Sequence, residues 1–178
     1  MERNFPEALA HTLQFEGGWA NNPNDPGGAT MKGITQRTFN QYLGRQASQE
    51  ELRHISDAEV AAIYRKLYWD KCLGDALADG LDLAVFDAAV NTGPREAGKL
   101  LQRIVGAPAD GVLGPKSLAA INKYIAAEGL PKVIDAYTEA RQAYYRLLPT
   151  YVNFGEGWRK RTENVGRLAK SLGQLSAV

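Results

Sequence analysis

The sequence predicts a mainly α fold. Apolar side chains recur at spacings of three and four in several separate windows, and no long alternating apolar and polar run announces a major sheet. The helical windows are bounded by capping residues, glycines and prolines, as helix ends require. The chain has 178 residues, of which 44% are hydrophobic and 23% charged. That is enough for one well-buried domain, with or without a small annex, and it excludes two large domains or a wholly disordered chain.

Phe5 to Glu16 reads as the first helix, with Leu9, Leu13 and Phe15 on one side, stopped by Gly17-Gly18. Residues 17–35 hold five glycines, two prolines and three asparagines, so a loop or a short irregular β-hairpin is expected there. A connection of that length in a compact domain is usually functional. Thr35 can cap a helix over 36–43, and Ser56-Asp57-Ala58-Glu59 fits a capping box opening a helix through Tyr68 to about Leu73. Leu81 to Asn91 predicts a central helix with Leu83, Phe86 and Val90 on its buried face, and Gly93-Pro94 divides it from another through Val105. Asp110-Gly111 makes a turn, Gly114-Pro115 starts a shorter helix, Pro131 opens a long one ending before Pro149, and residues 158–175 supply the last.

Charge and composition narrow the function classes. Twenty-one basic against twenty acidic residues leave a net charge of +1, which indicates no nucleic-acid partner. Residues 1–30 carry one basic and four acidic side chains and residues 151–178 five and two, so a basic C-terminal face is available to an anionic polymer. No run of about 18 uncharged apolar residues is present, and stable membrane insertion is not expected. Cys72 is the only cysteine, which excludes an internal disulfide. The start, Met1-Glu2-Arg3-Asn4-Phe5-Pro6, lacks the positive charge and apolar core of a signal peptide. The expectation is synthesis in a cytoplasm, with access to any outside target by a separate release or export route.

Several chemistries lack their parts. His11, His54 and Cys72 are scattered without metal-ligand spacing, so no metal and no cofactor is expected. No Gly-x-Ser-x-Gly elbow occurs, and Pro115 interrupts the one stretch similar to a phosphate loop.

What remains is Glu16-Gly17-Gly18 followed by Asp25-Pro26-Gly27-Gly28, Thr30 and Gly33-Ile34-Thr35. An acid at a helix C-terminus meets the negative end of the macrodipole, so stability alone does not explain Glu16 there. A carboxyl that resists ionisation is what a general acid needs. Gly17 and Gly18 leave room for a bulky substrate. A turn at Pro26-Gly27-Gly28 can fold Asp25 back toward the helix end, and two carboxyls facing one cleft suit glycoside cleavage. Thr30 or Thr35 can hold the attacking water.

This pattern resembles glycoside hydrolase family 108, whose members are bacteriophage endolysins and related bacterial muramidases. Tyr64 to Lys71, the helix Phe86-Asp87-Ala88-Ala89-Val90-Asn91-Thr92-Gly93, Asp110-Gly111-Val112-Leu113-Gly114-Pro115 and Gly155-Glu156-Gly157-Trp158-Arg159 extend the resemblance over nearly the whole chain. It implies a lysozyme-like helical fold with catalytic region 1–93 and helical peptidoglycan-binding-like region 94–178, packed as one compact monomer. It implies Glu16 as the catalytic acid, and the Asp and Thr spacing, similar to the Glu, Asp, Thr arrangement of phage-type lysozymes, points to Asp25 and Thr30 as the other catalytic residues. Tyr64, Tyr68, Trp69 and Asn91 are candidate sugar contacts, together with Gly17, Gly18 and Thr35. The implied activity is hydrolysis of the β-1,4 bond between N-acetylmuramic acid and N-acetylglucosamine in peptidoglycan glycan strands, with inversion by resemblance to phage-type lysozymes. The alternatives are a lytic transglycosylase and a non-catalytic wall-binding or secretion-associated module.

Overall fold

The structure, a computed structural model, describes residues 4–21 and 28–175. It is mainly α, with a single small antiparallel sheet among the described residues. The chain divides into two compact units, one of Leu9–Lys66 and the other made by the rest of the described chain.

The smaller unit begins in α1 (Phe5–Leu13) and contains β1 (Thr30–Met31), β2 (Ile34–Thr35), α2 (Gln36–Leu43), α3 (Gln49–Arg53) and α4 (Asp57–Tyr64). α1 ends three residues earlier than its apolar spacing suggests, and residues 14–16 continue as a tighter turn. Thr35 caps α2 as expected, its hydroxyl accepting from the Thr38 N–H. Ser56 and Glu59 form the expected capping box on α4. α3 was not legible from periodicity because it has only five residues, yet Ser48 and Glu51 give it the same reciprocal capping box. Ile34, Phe39, Leu52, Ile55, Val60, Ile63 and Tyr64 are buried in this unit.

The expected continuous helix to Leu73 changes character after Tyr64. Arg65–Trp69 forms a wide π-type turn and Asp70–Cys72 a tight 3₁₀ turn. Tyr64 and Trp69 are both buried. Five residues apart on a regular α-helix they would point about 140° away from each other, and a wider turn brings them nearer to one side.

The larger unit is built around α5 (Leu81–Thr92), whose residues Leu81 to Ala89 are all buried. α6 (Pro94–Ile104), α8 (Leu130–Arg146) and α9 (Tyr151–Leu175) pack against it, while α7 (Pro115–Glu128) packs on α6 and α8. A helix apolar on nearly every side is stable only when enclosed in this way. α5 starts at Gly80, whose φ of +91° and close approach to the Ala169 carbonyl of α9 leave no space for a side chain. Asp82 closes the helix start, accepting from the N–H groups of Gly80 and Leu83 at 2.8 and 2.7 Å. Phe5, Trp69 and Phe86 meet edge to face with centroids 5.3 to 5.9 Å apart.

α9 begins seven residues before its expected start. Glycines at 155 and 157 each weaken a helix by about 1 kcal/mol, which hides the first two turns from propensity reasoning. Gly155 is buried beneath the Tyr151 ring, a packing that only the folded helix displays.

Candidate active site

Glu16 is carried past the end of α1 by successive tight bonds, from Gln14 N–H to His11 O, Phe15 N–H to Thr12 O and Glu16 N–H to Leu13 O, at 3.1 to 3.2 Å. Its side chain is half-buried, whereas Gly17 and Gly18 are exposed with open space around them. The chain then runs past Trp19, over whose ring the Arg53 guanidinium lies at 5.8 Å. Ala20 next bonds both ways to Thr30 at 2.8 Å, adding a third layer to the edge of the hairpin.

The hairpin turns in two residues, Lys32 and Gly33, with φ of 49° and 75°. Two positive φ values at the centre of a two-residue loop are the signature of a type I′ turn, whose twist matches that of the strands. Lys32 is held in this uncommon conformation from two sides. Its carbonyl accepts from the Tyr64 hydroxyl at 2.8 Å, and its ammonium pairs with Asp57 at 2.7 Å.

This turn fixes the surroundings of Glu16. A Cβ built on Gly33 would lie 2.5 Å from the Tyr64 oxygen and 2.9 Å from Glu16 Oε2. The carboxyl, the tyrosine hydroxyl and the bare backbone of Gly33 therefore occupy one spot, and glycine is required there by space as well as by φ. Tyr64 is one of the candidate sugar contacts. Its ring is buried at 1% exposure, and its hydroxyl ties the Lys32 turn beside the acid.

Thr30 and Thr35 face each other across the antiparallel pair, so they share one face of the sheet. Their hydroxyls differ in availability. Thr35 Oγ1 is engaged by the Thr38 N–H and lies 3.0 Å from the Thr38 hydroxyl. Thr30 is half-buried, and its hydroxyl has no partner among the described residues. Asp25 falls outside the described residues.

The remaining expected sugar contacts belong to the larger unit. Trp69 has 0% exposure, donates its indole N–H to Asp75 at 2.8 Å and has Phe5 and Phe86 against its ring, so it is a core residue with no face to offer a sugar. Tyr68 is half-buried. Asn91 is exposed at the end of α5, its Oδ1 accepting from the Tyr145 hydroxyl at 2.6 Å.

The tract Arg159-Lys160-Arg161, part of the basic C-terminal face, is paired with acids of the same chain. Arg159 pairs with Glu156 and Glu163, Lys160 pairs with Glu156, and Arg161 is buried against Asp87. Its charge is spent largely within the molecule. The Asp110 turn is built as a structural unit: the Gln102 amide donates to Asp110 Oδ1 and Val112 O and accepts from the Gly111 N–H.

Asp87 was missed as a key residue, although an acid in the middle of Leu83-Ala84-Val85-Phe86-Asp87-Ala88-Ala89-Val90 signals a buried charge needing partners. Arg141 from α8 and Arg161 from α9 each approach its carboxylate to 2.8 Å. Burial pushes the carboxyl up, but the two guanidinium charges outweigh it and hold it below the usual range. Among the described residues no cluster of His, Cys, Asp and Glu is arranged to hold a metal, and no helix is long and apolar enough to cross a membrane.

Residues 9–93 match the family model described as Glycosyl hydrolase 108, and residues 96–163 match that of a predicted peptidoglycan domain. The solved structure of Brucella abortus SagA is 38% identical, covers 100% of each chain and superposes with a TM-score of 0.86. Comparison with curated proteins gives no match. An acid set at a helix end over a glycine turn, a family model over that region and a full-length structural likeness thus converge: the chain belongs to glycosyl hydrolase family 108, a glycoside hydrolase with a peptidoglycan domain.

Proposed function

We propose that the protein is an N-acetylmuramidase that hydrolyses the β-1,4 bond between N-acetylmuramic acid and N-acetylglucosamine. The observation that carries this reading is the placement of the Glu16 carboxyl, half-buried and packed over Gly33 beside the Tyr64 hydroxyl. A general acid must be held still at the edge of an open space, and Gly17 and Gly18 supply that space.

In this mechanism Glu16 gives its proton to the glycosidic oxygen as the bond breaks, and positive charge develops on the departing sugar ring. Asp25 orients the water or stabilises that charge. Thr30 supports the water, a role favoured by a hydroxyl without a partner among the described residues, since the Thr35 hydroxyl is committed to capping α2.

The test is mass spectrometry of soluble products from sacculi treated with the native protein and with Glu16→Gln. Reducing muramic ends from the native protein alone support the muramidase and its acid. Anhydro ends would replace it with a transglycosylase. Intact sacculi with a folded native protein would replace it with a wall-binding module, and near-native turnover by a folded Glu16→Gln variant would remove Glu16 from its role.

A further inference from the structure

Behind Asn91 lies a chain of polar groups whose hydrogen atoms can each be assigned. Arg141 is buried at 1% exposure, and its Nε–H lies 2.7 Å from the Tyr145 oxygen. A guanidinium has no acceptor, so the tyrosine oxygen accepts here. Burial pushes the Tyr145 phenol up, against the opposing pull of Arg141, so it keeps its proton at neutral pH. That single proton is donated to Asn91, 2.6 Å away, and the atom receiving it must be the amide oxygen. The amide is thereby fixed with Oδ1 turned inward. Its NH₂ group has no partner among the described residues, on a residue exposed to solvent.

Buried Tyr145 is followed outward by two further aromatic rings. Its ring stacks on Trp158 at 4.9 Å, and Phe154, 55% exposed, lies 5.8 Å beyond Trp158. An exposed aromatic ring is what a pyranose meets with its C–H face, and a fixed donor is what one of its polar substituents meets.

We propose that Asn91 is an oriented hydrogen-bond donor for the N-acetyl carbonyl of a peptidoglycan sugar, with Tyr145 and Arg141 as the positioning residues that aim it. The proposal rests on the reading of peptidoglycan glycan as substrate. The carbonyl is favoured over a hydroxyl because the outward amide group only donates. A carbonyl only accepts, whereas the ammonium left by de-N-acetylation only donates and is rejected. A hydroxyl rotates to suit either partner and gives no such discrimination.

The test is co-sedimentation of the protein with intact sacculi and with sacculi de-N-acetylated by a deacetylase. The native protein is expected to bind intact sacculi about tenfold more tightly. Asn91→Ala abolishes that preference. Asn91→Asp still accepts from Tyr145 and stands over a network of two buried arginines and one aspartate, so it folds. It loses the donor and reverses the preference. Tyr145→Phe frees the amide and lowers the ratio, a change that mere loss of packing would not produce. A native ratio near one, or Asn91 variants that retain the native ratio, overturns the proposal. Fragment release is scored separately, so sacculi that are bound with this selectivity but never cleaved refute the muramidase reading alone.

Discussion

Replacing Asp87 by Asn tests the polar centre of the larger unit. The substitution keeps shape and volume and removes one negative charge from a site with 0% exposure. It leaves Arg141 and Arg161, at 1% and 7% exposure, with no anion between them. Breaking a buried ion pair by deleting one partner costs about 3–5 kcal/mol, because the surviving charge stays desolvated. For a chain of this length each kcal/mol lowers the melting temperature by about 2–4 °C, so a fall of about 6–20 °C is expected at neutral pH. Scanning calorimetry of both proteins across pH reads the effect. The folded carboxyl lies below its ordinary value of 3.8, so its stabilisation is complete above that value and is lost as pH falls through the folded one. The gap between native and variant should therefore be full at neutral pH and narrow in acid below about pH 4. A variant melting within about 2 °C of the native protein at neutral pH would refute the reasoning, as would a gap that does not change with pH.

Two further outcomes follow from the geometry of single positions. Gly33→Ala must accept a φ of 75° and bring a methyl group against Tyr64 and Glu16, so fragment release should drop about 100-fold with a loss of about 1–2 kcal/mol in stability. Native turnover in that variant would mean that the turn does not place the acid. Burial pushes the Cys72 thiol up to about 12, so Ellman's reagent should leave it untouched at pH 8 in the native protein and react fully in denaturant. Rapid reaction without denaturant would contradict its placement in the core.

Much of the architecture is carried by local signals. The Ser56 capping box, the Thr35 cap, the proline starts of α6 and α7 and the apolar run of α5 each act within a few residues, and they appear in the fold where the sequence puts them. Elements whose reasons are not local were misplaced. The first turns of α9 depend on Gly155 packing against the Tyr151 ring, and the segment after Tyr64 on the edge-to-face contacts of Trp69 with Phe5 and Phe86. Neither propensity nor periodicity contains those contacts.

The candidate site divides in the same way. Glu16, the two glycines after it and the threonines stand out by residue type and spacing, because the chemistry of a general acid constrains identity. Which of those side chains meet was decided by tertiary structure. Tyr64 and Trp69 are aromatics in one short segment, yet one ties the hairpin beside the acid and the other fills the core. Asn91 looks like an ordinary helix-end residue until Arg141 and Tyr145, some fifty positions later, fix which of its amide atoms turns outward. Sequence alone determined most of the helices and singled out Glu16 as the candidate acid, since both are written in neighbouring residues. The glycine cradle, the buried Asp87 pair and the direction of the Asn91 amide were decided only by the fold, because each depends on distances between residues far apart in the chain.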